Sequence, residues 1–156
     1  MFLIYSIWTF SSDLSQVSVE DIEEDARISA WHGFERARQL GKEMGKEGNY
    51  QQAHKAYSDC LEFGKFLASG PPFLIRGSNL ESSEVKMTSE IMLSKLAIVL
   101  LRRAAVLYAL KEPRLCVLDI DAALRSCVLP SADTARALVF KGNALLQLRQ
   151  VCALQA

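Results

Sequence analysis

Residues 35–61 read ERARQLGKEMGKEGNYQQAHKAYSDCL, and the spacing within them predicts two helices folded into a tight antiparallel hairpin. Gly41 follows Leu40 where a neighbouring helix has to pass close. Gly48-Asn49-Tyr50 is a turn signal, because Gly and Asn both tolerate left-handed backbone angles. Beyond the turn, Ala53, Tyr57, Cys60 and Leu61 fall on one face of a helix. Small residues alternating with larger ones on that face suit close packing against the first helix.

The same pattern recurs. Cys116, Ile120, Ala123 and Leu124 repeat the spacing of Ala53, Tyr57, Cys60 and Leu61. Ahead of them, Leu100, Ala104 and Leu107 take the packing positions of a first helix that starts near Thr88. Lys111-Glu112-Pro113 supplies the turn, with Pro suited to the first position of the next helix. A third unit begins near Arg136, with Phe140, Gly142, Leu145 and Leu148 on its first helix and a second helix expected from about Val151. Ala53 and Ala123 are expected at helix–helix contacts.

On these positions the chain resembles the tetratricopeptide repeat family, whose unit of about 34 residues is fixed mainly by packing. The matching residues in the first repeat are Leu40, Gly41, Gly48, Tyr50, Ala53, Tyr57, Cys60 and Leu61; Ala37 stands where the family usually has Trp. The resemblance covers residues 34–67 and 97–156. It implies an all-α, antiparallel helix-hairpin superhelical array of about two and a half repeats. It further implies a protein-interaction module, not an enzyme, that holds a partner peptide or helix in a concave groove lined by the first helices.

One subfamily grips the acidic carboxyl-terminal tails of heat-shock chaperones with a two-carboxylate clamp. Its clamp takes Lys and Asn from the first repeat, Asn from the second, and Lys and Arg from the third. Those positions correspond here to Arg38, Lys42, Arg102, Arg136 and Phe140. Arg38 and Arg136 keep a cation, Lys42 and Arg102 put a longer cation in place of Asn, and Phe140 replaces Arg. The resemblance implies peptide binding by Arg38, Lys42, Arg102 and Arg136, with arginines offering bidentate donors to a carboxylate. The alternative is that these are solvated basic residues. The segments RRAAVLYAL and DIDAAL, after an extended loop, also resemble the repeat segment of SET-and-MYND-domain lysine methyltransferases. The chain would then be one part of a larger enzyme, since it carries no zinc-binding cysteine cluster or cofactor motif of its own.

Composition narrows the remaining classes. A chain of 156 residues with half of them hydrophobic is enough for one domain with a real core. Net charge is zero, yet residues 1–33 carry six acids against one base, and residues 67–156 carry eleven bases against seven acids. That excess is too weak and spread out for a nucleic-acid binder. Cys60, Cys116, Cys127 and Cys152 lack the close spacing of a zinc knuckle or redox motif. They fit reduced thiols in a cytoplasmic setting, Cys60 and Cys116 as small buried residues. GKEMGKEG is not a phosphate loop: three residues separate Gly41 and Gly45, and Glu47 follows Lys46 where Ser or Thr is needed. No cofactor or metal is expected, and His32 and His54 have no partner motif.

Two regions lie outside the hairpins. Residues 1–33 divide into the apolar leader MFLIYSIWTF, without the basic head of a secretory signal, and an acidic helix capped by Ser18. That helix either leads, solvated, into the first repeat or folds as an arm over the basic groove. Residues 68–87 read as an inserted loop within the helical domain 34–156, begun by Gly70-Pro71-Pro72. Phe73-Leu74-Ile75 within it could fold back on the body or dock a partner. Asp119 and Asp121 point about 200° apart on a helix, so they cannot share a metal, and Asp121 is expected to pair with Arg125. No apolar run is long enough to span a membrane. The third repeat's first helix would leave Leu138, Val139, Leu145, Leu146 and Leu148 partly bare, which predicts self-association.

Overall fold

The computed structural model describes residues 19–76 and 84–154. The leader Met1–Phe10 and the Ser18 cap lie outside these. Among the described residues five helices follow one another: α1 (Val19–Lys46), α2 (Tyr50–Ser69), α3 (Ser89–Ala109), α4 (Pro113–Arg125) and α5 (Ser131–Leu154). Between α2 and α3 stand two short strands, β1 (Phe73–Arg76) and β2 (Glu84–Met87). Each helix packs chiefly against the helix before it and the helix after it. The protein is an all-α array of two helix hairpins and a fifth helix.

The two hairpin turns are built alike. At the first, Gly48 takes φ +79°, and the Asn49 N–H donates to the Met44 carbonyl at 2.9 Å. At the second, Lys111 takes φ +64°, and the Glu112 N–H donates to the Leu107 carbonyl at 2.9 Å. Both are helix ends closed by one left-handed residue, which satisfies a carbonyl that the helix itself leaves unpaired. Lys111 follows Gly48 by 63 positions, as Cys116 follows Ala53 and Ile120 follows Tyr57. The backbone geometry thus repeats in the register of the side chains. Asn49 caps α2 through its side chain, accepting from the Gln52 N–H, and Thr88 caps α3 in the same way from the Ile91 N–H. Pro113 opens α4, where a missing N–H costs nothing.

The core has two parts. The larger joins α1, α2, α3 and the strands through Phe34, Tyr57, Cys60, Met92 and Val99. The smaller joins α3, α4 and α5 through Ala104, Leu107, Cys116, Ile120 and Ala144. Ala53, Cys60, Cys116, Ile120 and Ala123 are fully buried, as the spacing predicts. Gly41 is buried under Tyr57; a side-chain carbon there would meet the ring at 2.7 Å, so α1 and α2 could not approach as they do.

Four expectations change. The boundary at 33/34 falls inside α1, which runs unbroken for 28 residues. The acidic segment is therefore the first half of the hairpin's own helix and does not fold back as an arm. The 68–87 insertion holds an antiparallel hairpin in register, with Phe73 opposite Met87 and Arg76 opposite Glu84. Phe73 and Met87 are buried in the larger core, so the insertion folds onto the body. No turn interrupts the third unit near Val151: α5 continues to Leu154, with no Gly or Pro after Gly142 to end it. Asp121 pairs with Lys141 at 2.6 Å, tying α4 to α5, and not with Arg125. A partner on the next helix is available because Asp121 faces it. Asp119 points the other way, to Arg103 on α3.

Candidate functional site

Arg38 and Lys42 lie on α1, Arg102 on α3 and Arg136 on α5, so all four stand on the first helices of their units. Arg38 and Arg102 both act electrostatically on Tyr57 of α2, Arg102 more strongly than Arg38. Burial pushes the Tyr57 hydroxyl above its ordinary pKa, and the Arg102 guanidinium beside it pulls the other way. A phenol that stays neutral beside a guanidinium group can donate a hydrogen bond to an incoming anion.

Arg38 is already engaged. Its Nη2 lies 2.5 Å from the Glu35 carboxylate and its Nε donates to the same group at 3.1 Å. This bond to Glu35 raises the Arg38 pKa against the smaller opposing effect of burial. A ligand carboxylate at Arg38 would have to share it with Glu35. Lys42 is exposed, one turn further along α1. Arg136 is 82% exposed and only loosely paired with Asp133 at 3.5 Å. It lines a shallow apolar hollow with Val139, Phe140 and Asn143. Phe140 packs at a tilt against Tyr108 with ring centroids 5.2 Å apart, so it helps close the α3–α5 contact and is not free to serve a clamp.

Arg103, next to Arg102, is absent from the sequence-predicted set. It donates twice to Asp119, through Nε and Nη2, both at 2.7 Å, and once to Ser58 Oγ at 3.1 Å. It thereby fastens α3 to both α2 and α4. Asp119 is 7% exposed. A charged residue at the fourth place after Leu115 within an otherwise apolar face was the signal, since a buried carboxylate requires a cation.

The cysteines divide by burial. Cys60 is pushed up to about 12 and Cys116 to about 11, in both cases first by burial, with Glu35 and Asp119 respectively adding to it. Cys60 Sγ also donates to the Phe34 carbonyl at 3.4 Å. Cys127 and Cys152 are exposed. Because the thiolate is the nucleophile, titration of the folded protein with a thiol reagent at pH 8 should modify Cys127 and Cys152 quickly. Cys60 and Cys116 should react only on denaturation. Four equally fast thiols would contradict the packing.

Among the described residues no group of three or more His, Cys, Asp or Glu side chains could hold a metal ion. No described helix is long and apolar enough to cross a membrane. Comparison with protein-family models, with curated proteins and with solved structures finds no match for this chain.

Proposed function

We propose that this protein is an interaction module of the tetratricopeptide-repeat type, which holds an acidic, extended segment of a partner protein against the first helices. The observation that carries this is that Arg38 and Lys42 on α1 and Arg102 on α3 stand on the two helices that pack on either side of α2, and that Arg38 and Arg102 both act electrostatically on Tyr57. Helices from two successive units thereby bear cations flanking one helix, which suits an acidic ligand. Lys42 extends the positive charge along α1, and Arg136 offers a separate cation on α5. A carboxyl-terminal tail of a chaperone is one ligand with this chemistry. A repeat segment within a larger enzyme would use the same surface.

The test is a titration with a labelled acidic peptide ending in a free carboxylate, and with its amidated form. Binding should weaken on raising salt, since exposed charges are screened beyond about 8 Å at physiological ionic strength. Arg102→Gln should weaken the free-acid peptide roughly three- to tenfold, in keeping with a partly exposed charged hydrogen bond. Glu35→Gln should strengthen it by releasing Arg38. Equal affinity for the two peptide forms, or for wild type and Arg102→Gln, would overturn the proposal.

A further inference from the structure

The opposite chemistry occurs elsewhere on the molecule. The first turns of α1 and the strand β1 enclose a cleft of 320 Å³, with Ile28 and Trp31 on the helix side and Leu74 and Ile75 on the strand side. Leu74 is 44% exposed, so the cleft opens to solvent along an apolar wall. Glu24 and Glu84 stand at its edge, and a second hollow beside it is lined by Glu20, Glu23 and Glu24 together with Pro71 and Pro72. Two cations nearby are occupied: Arg27 donates to the Pro71 carbonyl, and the Lys95 ammonium lies 5.4 Å from the Trp31 ring centroid. Arg76 lies opposite Glu84 in the strand register, so the acidic rim is that of Glu20, Glu23 and Glu24. The helix start stabilises Glu20, in its first turn, but does not explain why an apolar floor runs beneath the acidic rim.

We infer that this cleft is a second docking surface, for a partner segment that mixes basic and apolar side chains. Charge complementarity selects the occupant. Aliphatic side chains would enter between Trp31 and Leu74, where they leave water for carbon on both sides. Lysine or arginine groups would meet Glu20, Glu23 and Glu24 at the rim, where they steer association and set its salt dependence. The volume is at the small end for a ligand pocket, which fits a few side chains of an extended segment and not a folded element. The surface is distinct from Arg38 and Arg102, so one array would engage a partner, or two partners, by opposite charge at two places.

The probe is a fluorescein-labelled, end-blocked dodecapeptide of alternating leucine and lysine, followed by anisotropy, with a leucine–glutamate peptide as counterpart. The wild-type chain should bind the lysine peptide saturably and in preference to the glutamate peptide, with affinity that falls as salt rises. Glu23→Lys with Glu24→Lys should weaken it at least tenfold, and Leu74→Ser should weaken it severalfold without altering the charge of the acidic rim. Arg102→Gln should leave it unchanged, which separates this surface from the proposed acidic-peptide site. Circular dichroism checks that α1 persists; if charge reversal frays it, Glu23→Gln with Glu24→Gln serves, with a loss of about threefold expected. Absence of saturable binding, equal affinity for the two peptides, or unaltered affinity in the Leu74→Ser and glutamate variants would overturn the inference.

Discussion

Phe34→Ala should destabilise the protein by about 3–5 kcal/mol, the cost of emptying a fully buried aromatic site. Phe34 is 0% exposed and stacks on Trp31 with centroids 5.6 Å apart. Its ring also fills the space beside Gly64 on α2, where Leu96 of α3 approaches. It is therefore the side chain on which three helices and, through Trp31 and Phe73, the β-hairpin meet. The loss should fall unevenly along the chain. Since each helix packs mainly on its neighbours, stability in such an array is close to a sum of local terms. Hydrogen exchange should then accelerate first in α1, α2 and the strands, and last in α4 and α5, whose core centres on Ile120. A loss below about 1 kcal/mol in denaturant melts, a value expected of surface changes, would show that Phe34 does not hold this junction.

Arg103→Leu should cost about 3 kcal/mol, because it strands Asp119 without its cation. The arginine side chain is 23% exposed and that of Asp119 10%, so water screens the pair only in part. The same change releases Ser58. Adding Asp119→Leu to Arg103→Leu should recover a good part of the loss, since removing both charges removes the uncompensated one. The double-mutant cycle, read from denaturant midpoints, gives the coupling directly. If Arg103→Leu alone is as stable as wild type, or if the second change makes matters worse by its full separate cost, the pair is not what joins α3 to α2 and α4.

How much of this was legible without coordinates follows from what each residue depends on. Ala53, Tyr57, Cys60 and Leu61 announce a buried face because helix geometry is local: spacing alone decides which side chains share a side. Gly48 announces a turn because left-handed backbone suits it without help. Its counterpart Lys111 adopts the same angle with a side chain that does not advertise it. There the turn is signalled by Pro113 at the start of the next helix and by the recurrence of Cys116, Ile120 and Ala123, and the left-handed angle at Lys111 itself is imposed by packing on both sides. The strands at 73–76 and 84–87 are not legible in the sequence, because four residues carry little pattern. They pair because Phe73 and Met87 find the larger core, which is a property of α1 and α3.

The candidate site divides in the same way. The sequence by itself determined the all-α hairpin array, the burial of the small face and the placement of Arg38, Lys42, Arg102 and Arg136 on first helices. Those follow from period, turn chemistry and chain order. The tertiary structure alone decided that Arg102 and Arg38 act on Tyr57, that Phe140 is spent on Tyr108, and that Asp121 turns to Lys141. It also decided that Arg103, not its neighbour, carries the buried ion pair. Charged side chains choose partners across space, and their choice depends on the angle and offset at which helices cross. Those quantities are fixed by the summed packing of many residues, so no short stretch of sequence holds them.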